Sequence, residues 1–359
     1  MAAPVTTTLN RSDRVILGLA VALIGLAAVA HFGSWSSVVA FLIAGAAVAV
    51  LASLVGRSVE QLGDRFGPGA TGVLQSALGN LPELFIALFA LQAGLVDVVR
   101  AALVGSILAN LLLVLGLSFL VGGLRHGTQQ LGSERARTIT VLMLLSVTAM
   151  AIPSLAHWTH SPAAEHERAL SVVVSVLLLL LFALSLPFSL RRDANDGDEA
   201  GSHEAPRWPI WLAIGLLAVA GVAAAFVSEW FVDALEPAMQ SLGISEAFAG
   251  LVVVAIAGNA VENVVGIQLA YQGHSQYALS VVLNSPLQIA LVLAPVLVLV
   301  SQIFGLASLT LVLSPMLVIA LVVAVILAAF ISFDGESTWL EGATLVVLYA
   351  IIAASFWWG

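Results

Sequence analysis

The chain has 359 residues, 60% of them hydrophobic and 9% charged, with a formal net charge of −9 and no cysteine. A soluble domain cannot bury that much apolar surface, and the apolar runs are long and do not alternate, which excludes a β-barrel; the composition is that of an all-α polytopic membrane protein. The lack of cysteine excludes disulfides and thiolate metal sites, and all twelve basic residues are arginine, so no Walker-type lysine exists to hold a nucleotide.

Taken in chain order, the first apolar run, Val15–Ala30, follows Arg11 and Arg14 and resembles a signal peptide. No convincing small-residue cleavage site precedes the next span, so it reads as a retained helix. Ten further spans follow, giving eleven at roughly 15–32, 38–58, 70–93, 98–122, 138–156, 169–190, 209–232, 245–272, 277–302, 308–331 and 338–358. Between the sixth and seventh lies the one long polar loop, with Asp193, Asp196, Asp198, Glu199 and Glu204; such a run ordinarily is a solvated connector. The expected organisation is an N-terminal tail and extra helix (1–37), a five-helix repeat (38–190), an acidic linker (191–208) and a second five-helix repeat (209–359).

Arginines set the orientation. Arg11, Arg14, Arg57, Arg65, Arg125, Arg135, Arg137, Arg191, Arg192 and Arg207 fall on one side of the spans, and only Arg100 and Arg168 on the other. The positive-inside rule then predicts a cytoplasmic N-terminus and, with an odd number of spans, an external C-terminus. Because five is odd, the second repeat enters the membrane from the opposite face, so the repeats are inverted, a pattern of secondary transporters.

A motif recurs at an offset of 179 residues. It reads Gly79-Asn80-Leu81-Pro82-Glu83 and then Gly258-Asn259-Ala260-Val261-Glu262, and the register continues through Gly94 and Gly273 to Ser106 and Ser285. A carboxylate within a membrane span is costly and marks function by default. Gly79, Gly258 and Pro82 predict bent helices with freed backbone carbonyls, and Asn80 and Asn259 should share a helical face with the glutamates three residues on. Ser106, Ser285 and Gln288 add neutral oxygens. Two carboxylates with amides, hydroxyls, carbonyls and water suit a hard cation such as Ca²⁺, and could hold protons once the ion leaves. Asparagine and serine in membrane helices also serve as interhelical glue, but the recurrence favours the functional reading.

These residues resemble a known family. Gly79-Asn80-x-x-Glu83, followed by Leu103-Val104-Gly105-Ser106-Ile107-Leu108-Ala109-Asn110 and Leu111-Leu112-Leu113-Val114-Leu115-Gly116, is similar to the first conserved repeat of the proton-coupled calcium exchangers of the calcium/cation antiporter superfamily. Gly258-Asn259-x-x-Glu262 with Ser285-x-x-Gln288-Ile289-Ala290-Leu291 is similar to the second. Val227-Ser228-Glu229 with Leu235-Glu236, and Asp334-Gly335-Glu336-Ser337-x-Trp339-Leu340-Glu341-Gly342, resemble flanking stretches of the same family. The resemblance implies an eleven-helix inverted-repeat fold, alternating access, and export or sequestration of Ca²⁺ in exchange for H⁺. It also implies that Glu83 and Glu262 bind the cation and carry protons, helped by Asn80, Asn259, Ser106, Ser285 and Gln288, with Glu60, Glu229 and Glu236 along the ion path. The chain departs from the family where Leu81-Pro82 replaces two alanines, where Asn284 and Pro286 flank Ser285, and where Asn263 replaces the histidine after the second glutamate.

The expected cargo is therefore Ca²⁺ and H⁺, with no cofactor, the lipid bilayer as partner and no nucleic acid. The expected site of action is a prokaryotic plasma membrane. An exchanger of the same fold coupled to Na⁺ or K⁺ is the nearest alternative, because the same oxygens serve those ions. An ion channel is disfavoured by the inverted repeat. An intramembrane enzyme is disfavoured by the lack of a His-Glu-x-x-His, Gly-x-Gly-Asp or serine–histidine arrangement within the spans. His157, His160 and His166 share one external loop and read as solvated, and Trp357-Trp358 reads as an interfacial anchor of the last helix.

Overall fold

The computed structural model describes residues 9–33, 35–66, 74, 78–131, 134–193 and 207–358. Most of the acidic linker, 194–206, and the beginning of the third expected span lie outside the described residues. The helices, in chain order, are α1 (Arg11–Phe32), α2 (Ser37–Phe66), α3 (Leu81–Gln92), α4 (Val96–His126), α5 (Glu134–Trp158), α6 (Glu167–Asp193), α7 (Ile210–Leu242), α8 (Glu246–Gly258), α9 (Ala260–Tyr271), α10 (Ser275–Ile303), α11 (Pro315–Asp334) and α12 (Trp339–Ser355). Two short strands, β1 (Gln129–Gln130) and β2 (Glu336–Ser337), pair antiparallel with Gln129 opposite Ser337. Among the described residues eight helices are long and apolar enough to cross a membrane. A ninth is added if α8 and α9 count as one bent span, and α3 and α12 are shorter apolar helices.

The chain divides into two compact units, Met1–Phe89 with Phe182–Gly243, and Ala90–Leu181 with Ile244–Gly359. In the first unit α2 packs along α7. Phe41 stacks on Phe231 with ring centroids 4.7 Å apart, and Gly45 lies against the same ring, where a Cβ would come within 3.2 Å of it. The extra helix α1 joins through His31, stacked on Trp230 at 5.5 Å, and through a polar clasp at its other end. There the buried Asp13 accepts from Arg57 (2.6 Å) and from the indole N–H of Trp208 (3.2 Å). Gln61 Oε1 accepts from the backbone N–H groups of Arg207 and Trp208, and Arg65 donates to the Trp208 carbonyl. The clasp ties the end of the linker to α1 and α2. Asp13→Ala should lower stability by about 2–3 kcal/mol, less than a fully buried pair because the Arg57 side chain keeps 33% of its exposure. Thermal unfolding in detergent measures it.

In the second unit, glycines set the closest helix approaches. A Cβ at Gly105 of α4 would lie 2.3 Å from the Leu251 carbonyl oxygen, and one at Gly250 of α8 would lie 2.3 Å from that of Val98. Gly116 and Gly342 bring α4 and α12 together in the same way, since a Cβ at Gly342 would fall 2.4 Å from the Leu120 nitrogen. Small residues of this kind let membrane helices pack backbone to backbone. Gly250→Ala forces the α4–α8 pair apart, and the expected cost is about 1–3 kcal/mol, visible as a lower melting temperature and poorer yield of monodisperse protein.

The tenth expected span starts later than its apolar run. Residues 306–314 are non-helical, although Leu309, Leu311 and Leu313 are buried. The helix begins at Pro315, where a first-turn proline needs no donor, with Ser314 as its cap accepting from the Leu317 N–H. Backbone buried at membrane depth must be bonded. Serines from neighbouring helices supply the partners: Leu309 N–H donates to Ser301, Leu311 N–H to Ser171 and Leu313 N–H to Ser154. Arg100 donates to the Thr310 hydroxyl at 2.8 Å. Trp357 packs edge-on against Phe248 at 4.7 Å, and Trp358 alone is 84% exposed.

Candidate functional site

Both copies of the Gly-Asn motif fall at a helix start. Gly79 and Asn80 form a turn and α3 begins at Leu81, while α8 ends at Gly258 and α9 begins at Ala260, bent by 62°. Asn259 sits at the break with φ −90° and ψ 22°. One expectation changes here. Pro82 does not free a carbonyl, because it occupies the second position of a new helix, where its missing N–H is no loss. Each asparagine caps the helix that carries its glutamate, its carbonyl accepting from the backbone N–H of Leu84 or Asn263, and the Asn259 amide reaches back to the Ala255 carbonyl at 2.8 Å.

The repeat continues in the backbone beyond the motif. α3 and α9 have bounds offset by 179 residues, and Gly94 and Gly273 both take positive φ, 83° and 89°. The following long helices each widen into a π-helical turn, at Ala109–Val114 in α4 and Ile289–Leu293 in α10. Such turns cluster at functional sites because they spread side chains and loosen carbonyls from the ladder.

In the second unit these features bring four polar side chains together. The Asn259 amide donates to Ser106 Oγ at 2.8 Å, and Ser285 Oγ donates to Asn259 Oδ1 at 3.3 Å. Asn110, fully buried in the π turn, donates to Asn259 Oδ1 at 3.0 Å and to the Ser106 carbonyl at 2.9 Å. Asn110 Oδ1 is buried without a hydrogen-bond partner. The oxygens gathered here, amide and hydroxyl with no sulfur, are the donor set of a hard cation. Gln288 is buried immediately before the second π turn. In the sequence, the signal for Asn110 is its spacing of one helical turn after Ser106.

The other expected residues are placed as follows. Asn80 is buried at the start of α3 and Glu83 is half-buried in its first turn. Glu262 lies in the first turn of α9, and its side chain is outside the described residues. Glu60 on α2 and Glu229 and Glu236 on α7 are exposed, the last two seven residues apart on one face of the helix. His157 meets the Glu167 carboxylate, an exposed pair.

A model of the family described as sodium/calcium exchanger protein matches residues 36–191 and 212–358. The chain is 36% identical over 350 residues to the Ca(2+)/H(+) antiporter ChaA of Bacillus subtilis, covering 96% of this chain and 99% of that one. It is 35% identical over 343 residues to the Ca(2+)/H(+) antiporter of Aphanothece halophytica, covering 91% and 92%. The solved structure of native YfkE matches with a TM-score of 0.81 at 35% identity, covering 95% of this chain and 99% of that one. The match spans both repeats and the helices around them, and the chain belongs to the sodium/calcium exchanger family.

Proposed function

We propose that the protein is a secondary antiporter that exchanges Ca²⁺ for H⁺ by alternating access. The observation that carries this is the paired Gly-Asn break ahead of a glutamate, in a chain aligned almost end to end with antiporters named for that exchange. Glu83 and Glu262 supply the charge that balances Ca²⁺ and take up protons in its place. Asn80, Asn259, Ser106, Ser285 and Gln288 supply neutral oxygens. Glu60, Glu229 and Glu236 line the approach for the ion. The repeats 38–190 and 209–359, of five spans each, are the inverted halves, and the exchange needs no cofactor.

The test is ⁴⁵Ca²⁺ uptake into everted membrane vesicles under an imposed pH gradient, with Na⁺ and K⁺ varied. Uptake should follow the pH gradient and ignore both monovalent cations. Uptake that requires Na⁺ would replace this reading with the Na⁺-coupled one, and non-saturable flux would indicate a channel.

The orientation follows from the arginines: N-terminus cytoplasmic, C-terminus external, in a prokaryotic plasma membrane. A reporter active only outside the cell, fused after Gly359, should be active. Activity of a cytoplasm-only reporter there would remove one span and the inversion with it.

A further inference from the structure

A row of buried oxygens without hydrogen-bond partners leads away from the amide–hydroxyl network of the second unit. They are Asn110 Oδ1, Asn263 Oδ1, Ser118 Oγ, Gln129 Oε1 and Ser337 Oγ. Asn110, Ser118, Gln129 and Ser337 are each at least nine-tenths buried. Their places in the fold are consecutive. Asn110 and Ser118 lie two turns apart on α4. Asn263 lies one turn before Gly266 on α9, and a Cβ at Gly266 would stand 3.6 Å from Ser118 Oγ. Ser118 lies one turn before Gly122, where a Cβ would fall 2.5 Å from Gln129 Oε1. Gln129 is paired with Ser337 across the β1–β2 ribbon, and the next pair, Gln130 with Glu336, is exposed and joined at 3.0 Å. The file thus runs from the network beside Asn259 to an exposed carboxylate at one end of the unit.

Interhelical glue explains only part of it: the amide nitrogens of Asn110 and Gln129 bond Asn259 and the Phe119 carbonyl, but the five oxygens have no partner. An orphaned buried polar atom costs about 1–3 kcal/mol unless water meets it, and buried waters settle where several polar atoms converge. The file is narrow, since Gly122 and Gly266 have no room for a side chain. A Cβ at Gly266 would also lie 2.5 Å from Val282. Its groups are neutral up to the Glu336 mouth, so nothing along it compensates the charge of a dehydrated cation.

We propose that this file is a water wire for protons, separate from the path of Ca²⁺, linking the amide–hydroxyl network to the β1–β2 end. The proposal rests on the proton-coupled reading above. A proton passes from one water to the next. The Ser118 hydroxyl both accepts and donates, the amide oxygens of Asn110, Asn263 and Gln129 accept and hold the waters in line, and no side chain along the file changes charge. Ser118 and Gln129 are positioning residues in this scheme.

Two measurements on purified wild type, Ser118→Ala and Gln129→Leu test it. The first is X-ray radiolytic labelling of Leu115 and Phe119, which are 1% and 2% exposed and flank Ser118 along α4, so that only bound water can oxidise them. Labelling is expected in the wild type and should fall about tenfold in both variants, the equivalent of one lost hydrogen bond. Background labelling of the wild type would overturn the wire. The second compares Ca²⁺/H⁺ exchange with ⁴⁵Ca²⁺/Ca²⁺ self-exchange in proteoliposomes. The variants should slow the first about tenfold and leave the second unchanged. Equal slowing of both would reveal a merely structural role, and no slowing of either would refute a proton path. Labelled wild type without Ca²⁺/H⁺ exchange would instead refute the proton-coupled function, which keeps the two failures apart.

Discussion

Glu83→Gln and Glu262→Gln should each abolish exchange and leave a folded, monodisperse protein. The substitution keeps the size and one oxygen but removes the charge and the exchangeable proton. In the proposed exchange each variant removes one of the two negative charges that balance the divalent ion. Deleting one partner of a buried charge pair costs on the order of 2–5 kcal/mol, or roughly 30-fold to several thousandfold in rate or affinity. Glu60, Glu229 and Glu236 make the contrast, because all three are exposed. Their glutamine variants should change the salt dependence and apparent on-rate of Ca²⁺ by only about two- to threefold, as exposed charges do. Calcium flux into proteoliposomes checks both sets. Wild-type exchange by either the Glu83 or the Glu262 variant would remove that glutamate from the proposed site.

The helices were legible because their signal is simple: long charge-poor runs separated by arginines, glycines and prolines. The tenth span shows what the run alone hides. Leu309 to Leu313 is as apolar as a helix, yet its backbone is non-helical, and serines from three neighbouring helices bond it. Hydropathy counts side chains and says nothing about where a backbone N–H finds its partner. The Ser314-Pro315 start was nevertheless present in the sequence as a cap followed by a first-turn proline. The pairing of α2 with α7 in one compact unit was not readable at all, since it depends on which faces meet rather than on how apolar each helix is.

For the site, the recurrence at 179 residues pointed to Asn259, Ser106 and Ser285, which the structure brings into one network. Asn110 escaped attention because its repeat mate is Ile289, so a symmetric pattern does not mark it. The π turns escaped for a related reason. A one-residue widening leaves the amino-acid spacing intact and appears only when the backbone is traced. The position of the break, at Asn259, was not legible either, because periodicity assumes that the helix is continuous.

Apparent Ca²⁺ affinity should fall as the pH drops, and Ca²⁺ binding should release protons. Among the described residues no group of three or more histidine or carboxylate side chains could hold a metal ion. Asn263, the residue after Glu262, cannot titrate. Under the proposed function the proton carriers are the carboxylates that bind the ion. A carboxylate must lose its proton to serve as a ligand, so the two cargoes exclude each other, and lowering the pH favours the proton. Two interacting acids of this kind release protons as a coupled pair rather than one by one, which spreads the dependence over a broad pH range. Calorimetric titration of Ca²⁺ into the purified protein, repeated in buffers of different ionisation enthalpy, gives the number of protons released per ion. Between one and two are expected near neutral pH, with affinity weakening by about tenfold or more from pH 8 to pH 6. Release indistinguishable from zero, with affinity constant over that range, would separate proton binding from the Ca²⁺ site. The gradient that drives the ion would then have to be sought in Na⁺.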